Sequence, residues 1–278
     1  MHYQTTLRDT IEFEGIGLHT GLPARVVVRP AGAASGISFR IDGAVTIPAR
    51  AEFVTDTRRA TVLGSGEHSV STVEHLLSAL AGMAIDNALV EVEGPEIPAM
   101  DGSALPFARA IDAVGVVRLS EPRRRYAPAA PRYFRDAEKL LIVLPAGEFR
   151  VKVAVAYDPP IGAQFFEGEL TPELYLREIA ASRTFAFAHE VETLRARGLA
   201  RGGTLENAVI FDESGPLRPL RYDDEPVRHK TLDLIGDLAL LGAWPQCEVV
   251  AIKGGHTLHH RAVLELCGEV RPGASAAR

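Results

Sequence analysis

Three histidine-bearing segments hold the residues best suited to chemistry. Ser71-Thr72-Val73-Glu74-His75 heads one apolar periodic run, His229-Lys230-Thr231-Leu232-Asp233 lies inside another, and Gly254-Gly255-His256 follows an apolar stretch. His229 and Asp233 are four residues apart, so on a helix they share one face and can grip a single ion. Adding His75 gives two imidazoles and one carboxylate, the usual make-up of a catalytic zinc site with a position left open for water. Ferrous iron suits the same ligands. The spacing alone is a weak signal, because charged i,i+4 pairs are common on solvated helix faces. Its setting strengthens it: Val227, Thr231, Leu234, Ile235, Leu238 and Leu241 would anchor the other side of the helix.

Neighbours on a helix point about 100° apart, so Glu74 and His75 would not both ligate one ion. A carboxylate beside an activated water is placed to act as a general base. The plainer alternative for Glu74 is a first-turn glutamate facing the helix dipole. Two glycines before His256 let its side chain project into a cleft, where it can protonate a leaving amine. Otherwise it is a loop histidine without chemistry. Asp237, one turn beyond Asp233, can hold its imidazolium. His19 lies in the turn Gly15-Ile16-Gly17-Leu18-His19-Thr20-Gly21, either as a further site histidine or, as expected here, a structural one. His259 and His260 could compete as metal ligands, but they are expected on a helix surface. His2, His68 and His189 have no context that singles them out.

The elements positioning these residues read as two rounds of strands, helix, strand, helix. In the first, Thr10–Phe13, Ala24–Arg29, Ile37–Ile41, Val45–Pro48, Thr61–Leu63 and His68–Val70 alternate or run β-branched. From Thr72 the period changes, with Val73, Leu76, Leu77, Leu80 and Ala81 on one helical face. Ser71 or Thr72 can cap that helix and Gly82 can end it. A strand over Ala88–Val92 and a helix over Ala104–Val114 follow. Residues 121–132 hold three prolines, which places a domain boundary there. The second round has strands over Leu140–Leu144, Arg150–Tyr157 and Val249–Lys253. Its helices are expected over Pro172–Ala181, His189–Arg197, Pro226–Leu241 and His259–Leu266. The expected fold class is α+β, with two similar domains, residues 1–122 and 129–278, and the active site between them.

Composition limits the alternatives. A chain of 278 residues suits two domains, and 46% hydrophobic with 24% charged residues predicts an ordinary packed core. The net charge of -6 and the lack of a basic stripe argue against nucleic acid as a partner. Arg123-Arg124-Arg125 is expected to be a solvated linker face. Two cysteines make no disulfide framework, and the N-terminal residues contain no apolar run, so a cytoplasmic protein is expected. No stretch reaches the roughly 20 apolar residues needed to span a membrane.

Taken together, the segments resemble the UDP-3-O-acyl-N-acetylglucosamine deacetylase family. The matching stretches are GIGLHTG from Gly15, STVEHLLSALAGMAIDNALVEV from Ser71, EIPAMDGSALPF from Glu96, SRTFAF from Ser182, RGLARGG from Arg197, EPVRHKTLDLIGDLALLG from Glu225 and KGGHTL from Lys253. They run in family order over nearly the whole chain. The resemblance implies two α+β domains packed face to face, each with a small insert. It also implies zinc-dependent release of acetate from an acylated UDP-amino sugar, the committed step of lipid A biosynthesis.

By the same resemblance, His75, His229 and Asp233 match metal ligands, Glu74 the general base, His256 the general acid and Asp237 its partner. Thr184 matches a threonine whose hydroxyl contacts the oxyanion, and Lys230 a lysine near the substrate diphosphate. Phe185 and Phe187, with the stretch to Gly203, match the apolar passage for the acyl chain. Tyr157 falls where an aromatic stacks on uracil. A monomer is expected. The sequence departs from the family at His259 and His260, where relatives often have two asparagines. It also departs at Arg58 and Arg59, and in the prolines of Gly215–Arg221. One rival reading is a metal hydrolase acting on another acylated nucleotide sugar. Another is a lipid- or nucleotide-sugar-binding protein with a structural zinc, which would need four protein ligands and no Glu74.

Overall fold

The computed structural model describes residues 3–270; Met1, His2 and residues 271–278 lie outside the described part. Two five-stranded sheets form its frame. The first runs Ile11–Ile16, Pro23–Pro30, Ala88–Glu93, Ile37–Ile41, Val45–Pro48 across its width. The second runs Arg132–Asp136, Lys139–Pro145, Cys247–Ile252, Arg150–Ala156, Ala163–Glu169. The order is the same in both: first, second, last, third and fourth strand in the chain. In each sheet the last strand lies parallel to the third and antiparallel to the second. The central strands show why they form: Ala88, Val90 and Val92 point inward and alternate with Leu89, Glu91 and Glu93, as Cys247, Val249 and Ala251 do with their neighbours.

Two helices accompany the first sheet, α1 (Glu74–Gly82) and α2 (Leu105–Val114). The second half has α3 (Pro172–Leu174), α4 (Ala188–Ala196), α5 (Glu225–Ala239) and α6 (His256–Cys267). Pro226 sits in the first turn of α5, where its missing N–H costs nothing. The expected helix over Pro172–Ala181 is instead α3 running into a π-turn, Tyr175–Ile179. Tyr175 is fully buried there, with its ring against Gly82 and its hydroxyl donating to Ser78 Oγ at 2.9 Å.

Helices α1 and α5 pack directly on each other. Gly236 makes the close crossing possible: a Cβ there would lie 2.1 Å from the Glu74 carbonyl oxygen. Gly236 lies between Asp233 and Asp237 on α5, so the crossing sets Glu74 and His75 beside both carboxylates. Each half also carries an insert. In the first it is a three-stranded sheet, Val54–Asp56, Val62–Ser65 and His68–Val70. In the second it is Phe185–Phe187, Val209–Asp212 and Gly215–Pro216 with α4.

Several expectations are corrected. Neither Ser71 nor Thr72 caps α1; Val73 occupies the cap position, and Thr72 Oγ1 donates to Glu96 Oε1 at 2.8 Å. Arg123 is not on a solvated face. It is buried, bonds Asp86 Oδ2 through Nε and Nη2 at 2.9 and 2.8 Å, and lies over the Trp244 ring. Arg125–Tyr126 pairs with Trp244–Pro245, so the proline-rich stretch is tied to the second half by strand pairing. The strand Tyr3–Leu7, paired with Val116–Pro122, was not anticipated either.

Candidate active site

The centre is built where two helix starts meet the middle of a third helix. His75 and Glu74 open α1, His229 and Asp233 share a face of α5, and His256 opens α6. His75 Nε2 lies 3.8 Å and His229 Nε2 3.5 Å from Asp233 Oδ1. One donor atom from each of the three lies within 4.8 Å of the others, and all three residues are buried. His229 Nδ1–H donates to the Ser182 carbonyl at 3.2 Å, which turns Nε2 toward the other two.

This donor set fits a divalent transition metal. Burial and the neighbouring His229 push His75 down to about 3. Burial lowers His229 as well, although Asp233 opposes it. Both imidazoles are therefore neutral, as ligands must be. Burial would raise Asp233, but the Lys230 ammonium and the protonated His256 outweigh it and hold the carboxylate below its usual range. Two neutral nitrogens and an anionic oxygen thus converge on one buried point, an arrangement that a cation satisfies. Lys230 Nζ is 2.6 Å from the other oxygen, Asp233 Oδ2.

Glu74 is 3% exposed, and the Thr61 N–H donates to its Oε2 at 3.0 Å. Burial pushes its carboxyl up to about 7, helped by Asp233 and Asp237 and opposed by His256. Asp237 lies behind the cleft. Its Oδ2 accepts from His256 Nδ1–H at 2.8 Å. Burial works against the His256 imidazolium, yet the Asp237 carboxylate and its hydrogen bond carry the pKa up to about 9. His256 Nε2 points the other way, 4.0 Å from Asp233 Oδ2.

A cleft of about 1570 Å³ opens over this centre. His75, Glu74, His229, Lys230, Asp233 and His256 line its polar end. Thr184, Phe185, Phe187, Tyr157 and Gly203 line it as well, so among the predicted site residues only Asp237 is set back. Phe185 stands edge-on to Tyr157 at 5.3 Å and to His229 at 6.1 Å, measured between ring centroids. The strand bearing it is pinned by buried Arg183, whose Nε and Nη2 bond Glu225 Oε1 and Oε2 at 2.8 and 3.0 Å. That ion pair ties Thr184 to the start of α5.

Loops from both halves close the cleft. Arg201 and Gly202 N–H groups donate to the His19 and Leu18 carbonyls at 3.1 and 3.0 Å. The His19 backbone N–H donates to Glu96, and its ring Nδ1 accepts from Ala200 N–H at 3.4 Å. His19 is thus held structurally and also lines the cleft. Arg59 lines it too, paired with Glu190 at 3.2 Å.

Residues 4–268 match the family model for UDP-3-O-acyl N-acetylglycosamine deacetylase. The chain belongs to this family. It is 46% identical over 270 residues to the UDP-3-O-acyl-N-acetylglucosamine deacetylase of Syntrophotalea carbinolica, covering 95% of this chain and 87% of the relative. It is 43% identical to the enzyme of the same name from Geobacter sp. strain M21, covering 96% and 89%. The enzyme of that name from Myxococcus xanthus is also 43% identical, covering 97% and 89%. The family is metal-dependent, and His75, His229 and Asp233 form a possible site for the ion.

Two residues around the centre of this family member, Glu96 and Thr61, were not singled out from sequence, and a third, His259, was expected elsewhere. Glu96, fully buried, gathers the backbone N–H groups of His19 and Thr20 and the hydroxyls of Thr20 and Thr72. A Cβ on Gly17 would lie 2.2 Å from Glu96 Oε2, which accounts for that glycine. Thr61 contacts Glu74, Asp237 and His256. His259, expected on a helix surface, is 1% exposed and donates from Nδ1 to Asp237 Oδ2 at 2.8 Å. His260 Nε2 bonds the Ala51 carbonyl at 2.9 Å.

Proposed function

We propose that this protein hydrolyses the acetamide of a UDP-3-O-(3-hydroxyacyl)-N-acetylglucosamine to acetate and the free amine, the committed step of lipid A biosynthesis. The observation that carries this reading is one buried cleft holding a His-His-Asp trio, a carboxylate poised to act as base and an imidazole backed by its own aspartate. We take residues 1–122 and 129–278 as the two domains, the resident metal as zinc with ferrous iron as the alternative, and the active unit as a cytoplasmic monomer. Among the described residues, no helix is long and apolar enough to cross a membrane.

His75, His229 and Asp233 would hold the ion. When bound, it supplies Lewis acidity that polarises the acetyl carbonyl and makes a water more acidic. Thr61 occupies Glu74 Oε2, so Oε1 takes the water's proton as the new C–O bond forms. Thr184 and protonated His256 steady the negative charge that develops on the carbonyl oxygen. As the C–N bond breaks, His256 Nε2 delivers its proton to the departing nitrogen, while Asp237 keeps Nδ1–H fixed. Lys230 keeps Asp233 ionised and has further N–H donors for the substrate diphosphate. Phe185, Phe187, Val191 and Leu194, with Gly203, line a passage suited to the acyl chain. Tyr157 offers an aromatic face to uracil.

The test is acetate release from acylated and unacylated UDP-N-acetylglucosamine. A strong preference for the acylated substrate is expected. Equal rates would point to a general UDP-N-acetylamino-sugar deacetylase, and no release from either would refute the reading.

A further inference from the structure

Asp237 is a buried carboxylate with three donors on it. Thr61 Oγ1–H donates to Oδ1 at 2.7 Å, and the Nδ1–H groups of His256 and His259 both donate to Oδ2 at 2.8 Å. Asp237, Thr61 and His259 are each 1% exposed, so water does not substitute for these donors. The three donors come from two places: Thr61 precedes the Val62–Ser65 strand of the first-half insert, while His256 and His259 sit one turn apart on α6. Thr61 is itself fixed by the start of α1. Its carbonyl accepts from Val73 N–H at 3.3 Å, and its N–H donates to Glu74.

The division between the two carboxylate oxygens matters. Both imidazoles draw on Oδ2, so they alone would leave the carboxylate free to tilt about their shared acceptor. The Thr61 hydroxyl on Oδ1 removes that freedom. It also lies 3.4 Å from His256 Nδ1, against the imidazole that has to keep its direction. His259 Nε2 is buried without a hydrogen-bond partner among the described residues, and a Cβ on Gly254 would stand 2.5 Å from it. A neutral ring with its single N–H on Nδ1 satisfies this setting best, which makes His259 a donor to Asp237.

We propose that Thr61 is a positioning residue for the reaction: its hydroxyl, with the His259 imidazole, holds the Asp237 carboxylate in the orientation that aims His256 into the cleft. The same threonine holds the Glu74 carboxylate through its backbone N–H, so one residue of the first half registers the base against the acid of the second. The proposal rests on the deacetylase reading above. Its physical basis is general: a catalytic group acts efficiently only when the groups behind it lock its direction.

Thr61→Ser and Thr61→Ala are both smaller than threonine and keep the backbone N–H; they differ only in the hydroxyl. The measurements are metal content, melting temperature, kcat, KM, and the downfield NMR signal of the His256 Nδ1–H. The alanine variant should keep its metal and lose roughly 10- to 100-fold in kcat, with KM changed by less than about threefold. Its imidazole signal should shift or broaden. The serine variant should recover kcat to within about threefold of wild type and keep the wild-type signal. Equal loss in both variants would assign the effect to the methyl group and overturn the proposal. So would a wild-type kcat and unmoved signal in the alanine variant, or loss of its metal. If the wild-type protein released no acetate, the deacetylase reading would fail, but the NMR comparison of serine with alanine would still decide whether the hydroxyl positions His256.

Discussion

The two halves of the molecule share a sheet order but carry different loads. The first half contributes Glu74 and His75 at one helix start and Thr61 from its insert. The second contributes His229, Asp233 and Asp237 along one helix and His256 at the start of another. The inserts diverge as well: the first reaches the polar centre, whereas the second lines the cleft with Phe185, Phe187 and α4. A repeated frame therefore fixes where α1, α5 and α6 meet, and the residues placed at that meeting decide the chemistry. The polar centre is also the more firmly held part. Its carboxylates and imidazoles are buried, and Glu74, Asp233, Asp237, His229 and His256 are hydrogen-bonded, while Phe185 and Phe187 are only half-buried over the small cluster of Ile161, Val209 and Phe211.

The comparison can be broken most sharply at Glu74. Glu74→Ala should keep metal and fold but lose ~10²–10⁴-fold in kcat, the usual contribution of a positioned base. Near wild-type turnover by the metal-loaded variant would remove Glu74 from its role. Next comes the contact between the halves. Gly236→Ala places a methyl on the Glu74 backbone and should destabilise the protein by about 1–3 kcal/mol. Metal affinity should fall with it, because α1 and α5 must separate. A wild-type melting curve with unchanged metal binding would show that the crossing is not tight.

Asp237→Asn tests the electrostatics within the second half. Asp237 is the main group raising His256, so the substitution should move the imidazole pKa down from about 9. Activity needs Glu74 ionised and His256 protonated, so kcat/KM should show a bell in pH, with Glu74 on the acid side and His256 on the alkaline side. The alkaline limb should then move to lower pH, with a smaller shift of the acid limb the same way, because Asp237 also helps raise Glu74. An unmoved alkaline limb would separate His256 from Asp237. The mildest effect is expected in the second insert. Each buried methylene is worth roughly 0.8 kcal/mol, about fourfold in binding, so kcat/KM should fall as the acyl chain is shortened. Phe187→Ala widens the passage and should flatten that dependence. An unchanged slope would place the chain elsewhere.

The sequence was most informative where chemistry and periodicity coincide. The four-residue spacing of His229 and Asp233 puts two ligands on one face of α5, and the structure has them there, converging on His75. Thr61 carried no such mark. It is one threonine at the head of a short strand, and its partner Asp237 is 176 residues away in the chain. His259 was misread through a boundary error. Expecting the helix to start at His259 put that residue on the surface, but the helix starts at His256, and its first turn brings both histidines onto Asp237. Arg123 was hidden in a basic run. Its burial depends on Asp86 and Trp244, which local composition does not reveal.

The central claim is that the two halves jointly hold one catalytic metal. Metal analysis of the purified wild-type protein, His75→Ala from the first half and His229→Ala from the second tests it directly. One tightly held transition-metal ion per chain is expected in the wild type, with occupancy lost in both variants. Full occupancy in either variant would contradict a centre shared between the halves.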